Sequence, residues 1–238
     1  MKKVSTNFPI PGKSIKRDKD LYGYVDKTTK SIAKKISEKI NSAQADEGGL
    51  VFIDGPVCSG KTLVGMHLIE TLSGTRRRAV PIQPRVDRPD VPEGKLISRS
   101  GYEIKAISYN SKKEIEKIFH NYDVVIIDEV QFTPAALQSY LLKEIRLFTA
   151  RGGWVAVLAL LYTSLGTEFL ISTVLKEEAI MTFELKATCQ MCGRRNARLD
   201  QRLVNNKPAP ASSPDLMPPS EKVVYEPRCA DCYVVVGD

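Results

Sequence analysis

The 238-residue chain has no apolar run approaching the roughly 18 to 20 residues needed to cross a bilayer. The lysines of its opening stretch, Met1 to Lys13, are followed by no apolar segment of the kind that builds a signal peptide. A soluble cytoplasmic protein with no membrane partner is therefore expected. Cysteine is scarce, at five residues, which excludes a disulfide-stapled miniature domain. Aromatic residues make up only 7% of the chain and are not interleaved with basic ones as in a single-strand stacking platform. With 42% hydrophobic and 26% charged residues, the chain is not of the disordered class. At about 150 residues per domain, the length accommodates one sizeable core and a small appendage. The net charge of +7 draws heavily on Lys13, Lys16, Arg17, Lys19, Lys27, Lys30, Lys34, Lys35 and Lys39. Such a cluster reads as a solvated basic segment, or as the footprint of nucleic acid or another polyanion.

Three regions follow from the patterning. Residues 1–46 form a basic N-terminal part: an irregular arm to about residue 20, then Ile32, Ile36 and Ile40 at helical spacing, predicting an amphipathic helix over 28–43. Its apolar stripe is expected to dock on the domain behind it, the alternative being a membrane-surface or nucleic-acid helix. Residues 47–186 alternate strands and helices. Strands are expected at 50–54, 78–82, 104–108, 124–127 and 154–160, and helices at 61–72, 112–120 and 133–148. That alternation predicts an α/β fold, a P-loop NTPase-like parallel sheet with helices on both faces. The Pro-, Arg- and Asp-rich stretch 83–101 reads as a long functional loop. Residues 187–238, with cysteine pairs around the Pro/Ser-rich stretch Pro208 to Ser220, form a second, smaller module.

Gly55-Pro56-Val57-Cys58-Ser59-Gly60-Lys61-Thr62 fits G-x-x-x-x-G-K-[ST], placed after a strand and opening a helix. In that context successive backbone N–H groups and the positive helix N-terminus face the phosphates of ATP. Lys61 is assigned to the β/γ-phosphates and the Thr62 hydroxyl to Mg²⁺. Cys58 needs only to be small and is given no chemistry. The apolar run Val124 to Ile127 brings Asp128 and Glu129 out at the edge of the sheet where ligands bind. Asp128 is placed to hold Mg²⁺, and Glu129 to act as general base for the group attacking the γ-phosphate. Cys189 and Cys192, with Cys229 and Cys232, are two C-x-x-C clips that make a closed tetrahedral site suited to structural Zn²⁺. The metal then ties down the base of a long excursion able to reach back over the nucleotide domain.

Together these residues resemble the type II, zinc-containing thymidine kinases. The resemblance rests on Gly55-Pro56 to Thr62, Asp128-Glu129-Val130-Gln131-Phe132, Cys189 to Gly193, Ala197, Gln201-Arg202 and Tyr225-Glu226-Pro227-Arg228-Cys229, and covers about residues 50–233. It implies ATP-dependent phosphorylation of a deoxynucleoside 5′-hydroxyl, thymidine first, with Glu129 taking the proton. It implies a lasso between the cysteine pairs that closes over the nucleoside, with Gln131, Phe132, Phe169 and Tyr225 at the substrate. Asp87-Arg88 resembles the family's D-x-R element, with the arginine adjacent rather than one residue later. Family members are commonly tetramers inhibited by the end-product triphosphate, so a homo-oligomer is implied. The sequence departs from the family where the base is chosen. Val57 replaces a methionine that touches the base, Leu161-Tyr162-Thr163-Ser164-Leu165 replaces an aspartate and an aromatic, and Pro218-Pro219-Ser220-Glu221 replaces an Ile-Gly-Gly stretch.

Two other functions compete with a nucleoside kinase. A nucleic-acid-associated P-loop ATPase would use the zinc module and basic arm to grip phosphates. A nucleotide-binding protein with a lapsed pocket would bind ATP without consuming it. The position of Glu129 beside Asp128 and the lasso-length loop favour the kinase, with nucleic acid not expected as a partner.

Overall fold

The computed structural model describes residues 2–3, 19–85, 94–214, 220 and 222–236, with side chains from Val25 onward. Lys2–Lys3 (β1) pairs its backbone with a strand further along the chain. Helix α1 runs over Lys19–Ser42, longer than the 28–43 expected. Gly23 and the lysines and aspartates around it conceal its first turns from a reading of apolar spacing. Ala33, Ile36 and Ile40 are buried, so the stripe does dock on the domain behind it.

Strand β2 (Gly49–Asp54) is buried at every position and leads through the glycine loop into α2 (Lys61–Leu72). Gly65 lets α2 lie close on the sheet, since a Cβ there would sit 2.6 Å from Leu158 Cδ1. Next come β3 (Ala79–Pro84), β4 (Lys95–Ile97), β5 (Tyr102–Lys105) and β6 (Ile107–Tyr109). Here the structure corrects two expectations. The stretch 83–101, read as loop, contains β4, and the run 104–108, read as one strand, is two. β5 joins the antiparallel sheet β1-β5-β4, whereas β6 runs parallel to β3 in the main sheet. The switch occurs at Ala106, whose N–H bonds Gly94 O at 2.9 Å.

The chain continues through α3 (Lys112–Asn121), β7 (Val124–Asp128), α4 (Ala135–Ala150), β8 (Trp154–Ala159), α5 (Leu170–Glu178) and β9 (Met181–Glu184). The main sheet has six strands in the order β6-β3-β7-β8-β2-β9, and its mapped pairings are all parallel. Alternate residues face opposite sides. Phe52, Val125, Ile127, Val155 and Val157 pack under α3, α4 and α5. Val51, Ile53, Val124, Ile126 and Leu158 pack under α1 and α2. Burial on both faces is why these strands read as unbroken apolar runs. Ile36 is fully buried in the second layer. Ile36→Ala is therefore expected to destabilise the protein by roughly 2–5 kcal/mol. A urea midpoint that falls at unchanged slope would bear this out; an unmoved midpoint would mean that α1 is only loosely apposed.

The C-terminal module is a second antiparallel sheet of β10 (Leu199–Val204), β11 (Lys207–Pro208) and β12 (Val223–Arg228), in the order β11-β10-β12. β10 and β12 pair from Leu199↔Arg228 to Val204↔Val223, closing the long excursion with a ladder as well as with the cysteines. Gln201 clamps the chain's last described segment, giving its Nε2–H to Val234 O at 3.1 Å and accepting Val234 N–H at 2.8 Å.

Candidate active site

The phosphate loop sits between the end of β2 and the start of α2. Gly60 has φ +99° and Cys58 has φ 62°, so the turn into α2 uses left-handed backbone at both positions. Val25 and Thr29 of α1 lie against Gly60, each 3.0 Å from where a Cβ would be, so the N-terminal helix buttresses the loop. Lys61 is 5% exposed and donates to Gly55 O at 2.6 Å and Pro56 O at 3.0 Å. Its ammonium thus rests on the loop's own carbonyls, within the turn that would receive phosphates. Thr62 Oγ1 donates to Asp128 Oδ2 at 2.9 Å, joining the two halves of the site that the sequence separates by 66 positions.

Asp128 lies at the buried end of β7, opposite Leu158 of β8. Burial pushes its carboxyl up to about 7, the charge of Glu129 adds to the effect, and Thr62 and Lys61 oppose it. Its Oδ1 and the Ser59 hydroxyl are buried without a hydrogen-bond partner. Two oxygens of Asp128 and Thr62 side by side, with buried acceptor capacity left over, fit a hard divalent cation such as Mg²⁺. Glu129 follows with φ 56° and ψ 43°, a left-handed conformation uncommon for a residue with a side chain. It is held there from two directions. Its N–H bonds Leu158 O at 2.9 Å, and the Gln131 side-chain amide donates to its Oε2. Gln131 in turn accepts Leu160 N–H at 3.2 Å, which locks the carboxylate to the end of β8.

The other residues assigned to substrate lie on three separate elements. Phe132 ends the short 3-10 turn after Glu129, Phe169 precedes α5, and Tyr225 lies on β12 opposite Arg202; all three are half-buried. Gln131 is brought to Glu129 itself. Asp87 and Arg88 lie outside the described residues. Asp200 on β10 was not foreseen. It is 4% exposed, and its Oδ1 accepts the phosphate-loop Val57 N–H at 2.8 Å. Burial pushes its carboxyl up to about 6, with Lys61 and Arg99 opposing and Glu129 reinforcing. Its sequence signal was only an acidic residue between Ala197 and Gln201-Arg202. Tyr233 adds a second tie from the module, donating to Ser164 O at 2.7 Å in the segment after β8.

The four cysteine sulfurs all lie within 4.8 Å of one another, with Cys192 and Cys229 3.7 Å apart. Thiolates arranged tetrahedrally around zinc at Zn–S about 2.3 Å stand about 3.8 Å from each other, so the donor set fits that metal. Arg194 Nε donates to Cys192 Sγ at 3.4 Å and its Nη2 reaches Cys229 Sγ at 3.8 Å, while also pairing with Asp231. Arg194 draws Cys192 down to about 6. Burial opposes ionisation of Cys189, but backbone N–H groups on its sulfur hold it below the usual thiol range. The protein thus favours thiolate on both members of the first pair, whereas the hydrogen bond with Cys229 and burial push Cys232 up to about 12, so a metal ligand set would have to ionise that thiol itself. Sequence reading found the cysteines but not Arg194.

Among the described residues no helix is long and apolar enough to cross a membrane. The family model described as Thymidine kinase matches residues 48–233, leaving α1 outside the match. A thymidine kinase of Pyrobaculum aerophilum is 32% identical over 191 residues, covering 78% of this chain and 98% of that protein. A thymidine kinase of Thermococcus kodakarensis is 28% identical over 194 residues, covering 79% of this chain and 95% of that protein. The solved structure of AMPPCP-bound DnaA from Aquifex aeolicus overlaps 66% of this chain and 47% of its own, at TM-score 0.40 and 10% identity. The parallel sheet, the loop joined to Asp128 and Glu129, the cysteine cluster and a family match across most of the sequence agree, and the chain belongs to the thymidine kinase family.

Proposed function

We propose that the protein transfers the γ-phosphoryl group of ATP to the 5′-hydroxyl of a deoxynucleoside, thymidine in the first place. The observation that carries this is the contact of Thr62 with Asp128 at 2.9 Å, immediately beside a Glu129 held by Gln131. Phosphoryl transfer needs positioned phosphates, neutralised charge and a proton acceptor, with little covalent chemistry left to the protein. Backbone N–H groups of the loop up to Gly60, other than the Val57 N–H that Asp200 holds, receive the phosphates, and Lys61 exchanges its carbonyl partners for phosphate oxygens. Thr62 and Asp128 would hold Mg²⁺, which when bound supplies the charge neutralisation for the β- and γ-phosphates. Glu129 accepts the proton of the attacking hydroxyl, its lone pairs aimed by Gln131.

The lasso between the cysteine pairs covers the nucleoside and excludes water. Phe132, Phe169 and Tyr225 line the substrate side, and Asp87 and Arg88 belong to the same reading by family resemblance alone. Cys189, Cys192, Cys229 and Cys232 would hold a structural zinc, closed to water, that fixes the base of the lasso. A homo-oligomer, a tetramer by family resemblance, completes the proposal.

The test is to incubate the zinc-replete protein with Mg-ATP and each common deoxy- and ribonucleoside, and to detect monophosphates by mass. Thymidine or deoxyuridine monophosphate is the expected product. A different monophosphate would keep the reaction and overturn the choice of base. If ATP binds but no monophosphate forms, the kinase reading fails, and polynucleotide-stimulated hydrolysis becomes the reaction to measure.

A further inference from the structure

Asp200 is a buried carboxylate beside the phosphate loop that the mechanism above leaves unused. Its Oδ1 accepts the Val57 N–H, the one protein donor seen on this carboxylate among the described residues, and Oδ2 is not among the atoms sealed from solvent, so it is left to water or a ligand. Lys61, Arg99 and Glu129 act on it only through their fields. A carboxylate only 4% exposed, with a single amide donor, keeps little water with which to satisfy its second oxygen. The clasp to Val57 does not require it, because any side-chain carbonyl would accept that N–H. The second oxygen and the negative charge are surplus to the clasp and stand between the loop, the proposed base and the lasso.

The strand that carries Asp200 is also tied down by its neighbours. The next residue, Gln201, is clamped to Val234, and Arg202, 1% exposed, holds the carbonyl of Pro214 at the foot of the lasso. A preorganised acceptor with an open lone pair is what substrate discrimination by hydrogen bonding demands.

We propose that Asp200 is a specificity-determining residue whose Oδ2 accepts a hydrogen bond from the bound nucleoside while Oδ1 keeps the phosphate-loop Val57 N–H. The inference rests on the nucleoside-kinase reading. The donor is a nucleoside N–H or O–H other than the reacting 5′-hydroxyl, supplied by the base or by the sugar 3′-hydroxyl.

Asp200→Asn separates the two roles of the carboxylate. The amide oxygen can still accept the Val57 N–H, but the other position changes from acceptor to donor. Kinetics at saturating Mg-ATP are to be measured for thymidine, or the deoxynucleoside that replaces it in the panel above, and for its 3′-deoxy and base-N-methylated analogues. Asp200→Asn is expected to lower kcat/KM for the nucleoside roughly ten- to hundredfold, mainly through KM. The KM for ATP and the melting temperature are expected to stay unchanged. The analogue lacking the donor that Asp200 reads should be poor with the unsubstituted protein and lose little more in the variant, whereas the other analogue falls in proportion to the parent nucleoside.

Unchanged nucleoside kcat/KM in Asp200→Asn overturns the proposal and leaves the kinase reading intact. So does a proportional fall for both analogues, or a change confined to ATP affinity and melting temperature. Absence of any phosphorylated nucleoside with the unsubstituted protein overturns the kinase reading, and the role of Asp200 with it.

Discussion

Glu129→Gln is expected to lower nucleoside turnover by roughly 10²- to 10⁴-fold while leaving ATP binding in place. The substitution is nearly isosteric and removes only the ability to take a proton. On the proposed mechanism the phosphate contacts fall to other groups, namely the loop backbone, Lys61 and the Thr62–Asp128 pair. The left-handed turn at Glu129 is fixed by its backbone bond to Leu158 and by the 3-10 turn that follows, so the main chain has no reason to move. Gln131 now points an amide donor at Glu129 Oε2, and in the variant that donor meets an amide whose oxygen can still accept it. Turnover therefore falls through chemistry and not through unfolding. Single-turnover rates together with calorimetric ATP titration separate the two. Undiminished single-turnover rates would remove Glu129 from the proton transfer and leave positioning by the loop and cation site as the whole of catalysis.

The elements that hold this site were legible for a simple reason. β2 and β7 are buried on both faces, so each is a short unbroken apolar run, and each leads into the residues to which the chemistry is assigned. The cysteine cluster was legible because C-x-x-C pairs are the fixed local spacing in which thiolates suit a metal. What escaped has equally physical causes. β4, β5 and β6 are three or four residues long, and the chain changes sheets at Ala106, which no alternation pattern records. β10 and β12 carry Asp200, Gln201, Arg202, Glu226 and Arg228 at positions that are buried or half-buried, so their polar sequence conceals their burial. Asp200 is invisible for that reason. A carboxylate is read as exposed until the partner that buries it is known, and here that partner is the backbone of a loop 143 positions earlier.

Cys229→Ser, or Cys189→Ser, is expected to release the metal and to raise the apparent KM for nucleoside more than that for ATP. Apart from the β10–β12 ladder, its side-chain ties and the buried Leu203, Ala209 and Val223, the module has a small core. Its buried apolar cluster is Ala187, Ala197 and the cysteines Cys189 and Cys229 themselves, with Cys232 against them. A two-stranded ladder with a short third strand is marginal in water without such a staple. Structural zinc sites contribute about 10–16 kcal/mol of apparent binding free energy in small zinc-finger peptides, a large amount against so small an apolar cluster. Serine is a poor zinc ligand, and the loss of one thiolate opens the closed site. The disturbance reaches the nucleoside side first, because β10 and β12 carry Asp200 and Tyr225. The nucleotide domain has its own two-layered core under α1 to α5 and is expected to keep its phosphate loop. The checks are metal content by mass spectrometry and the two KM values measured side by side, with a chelator-treated sample of the unsubstituted protein expected to reproduce the variants. Stoichiometric zinc in both variants would overturn the Cys₄ assignment. Equal losses of nucleoside and ATP binding would mean that the Asp200 to Val57 clasp, and not the lasso alone, transmits the state of the metal site to the phosphate loop.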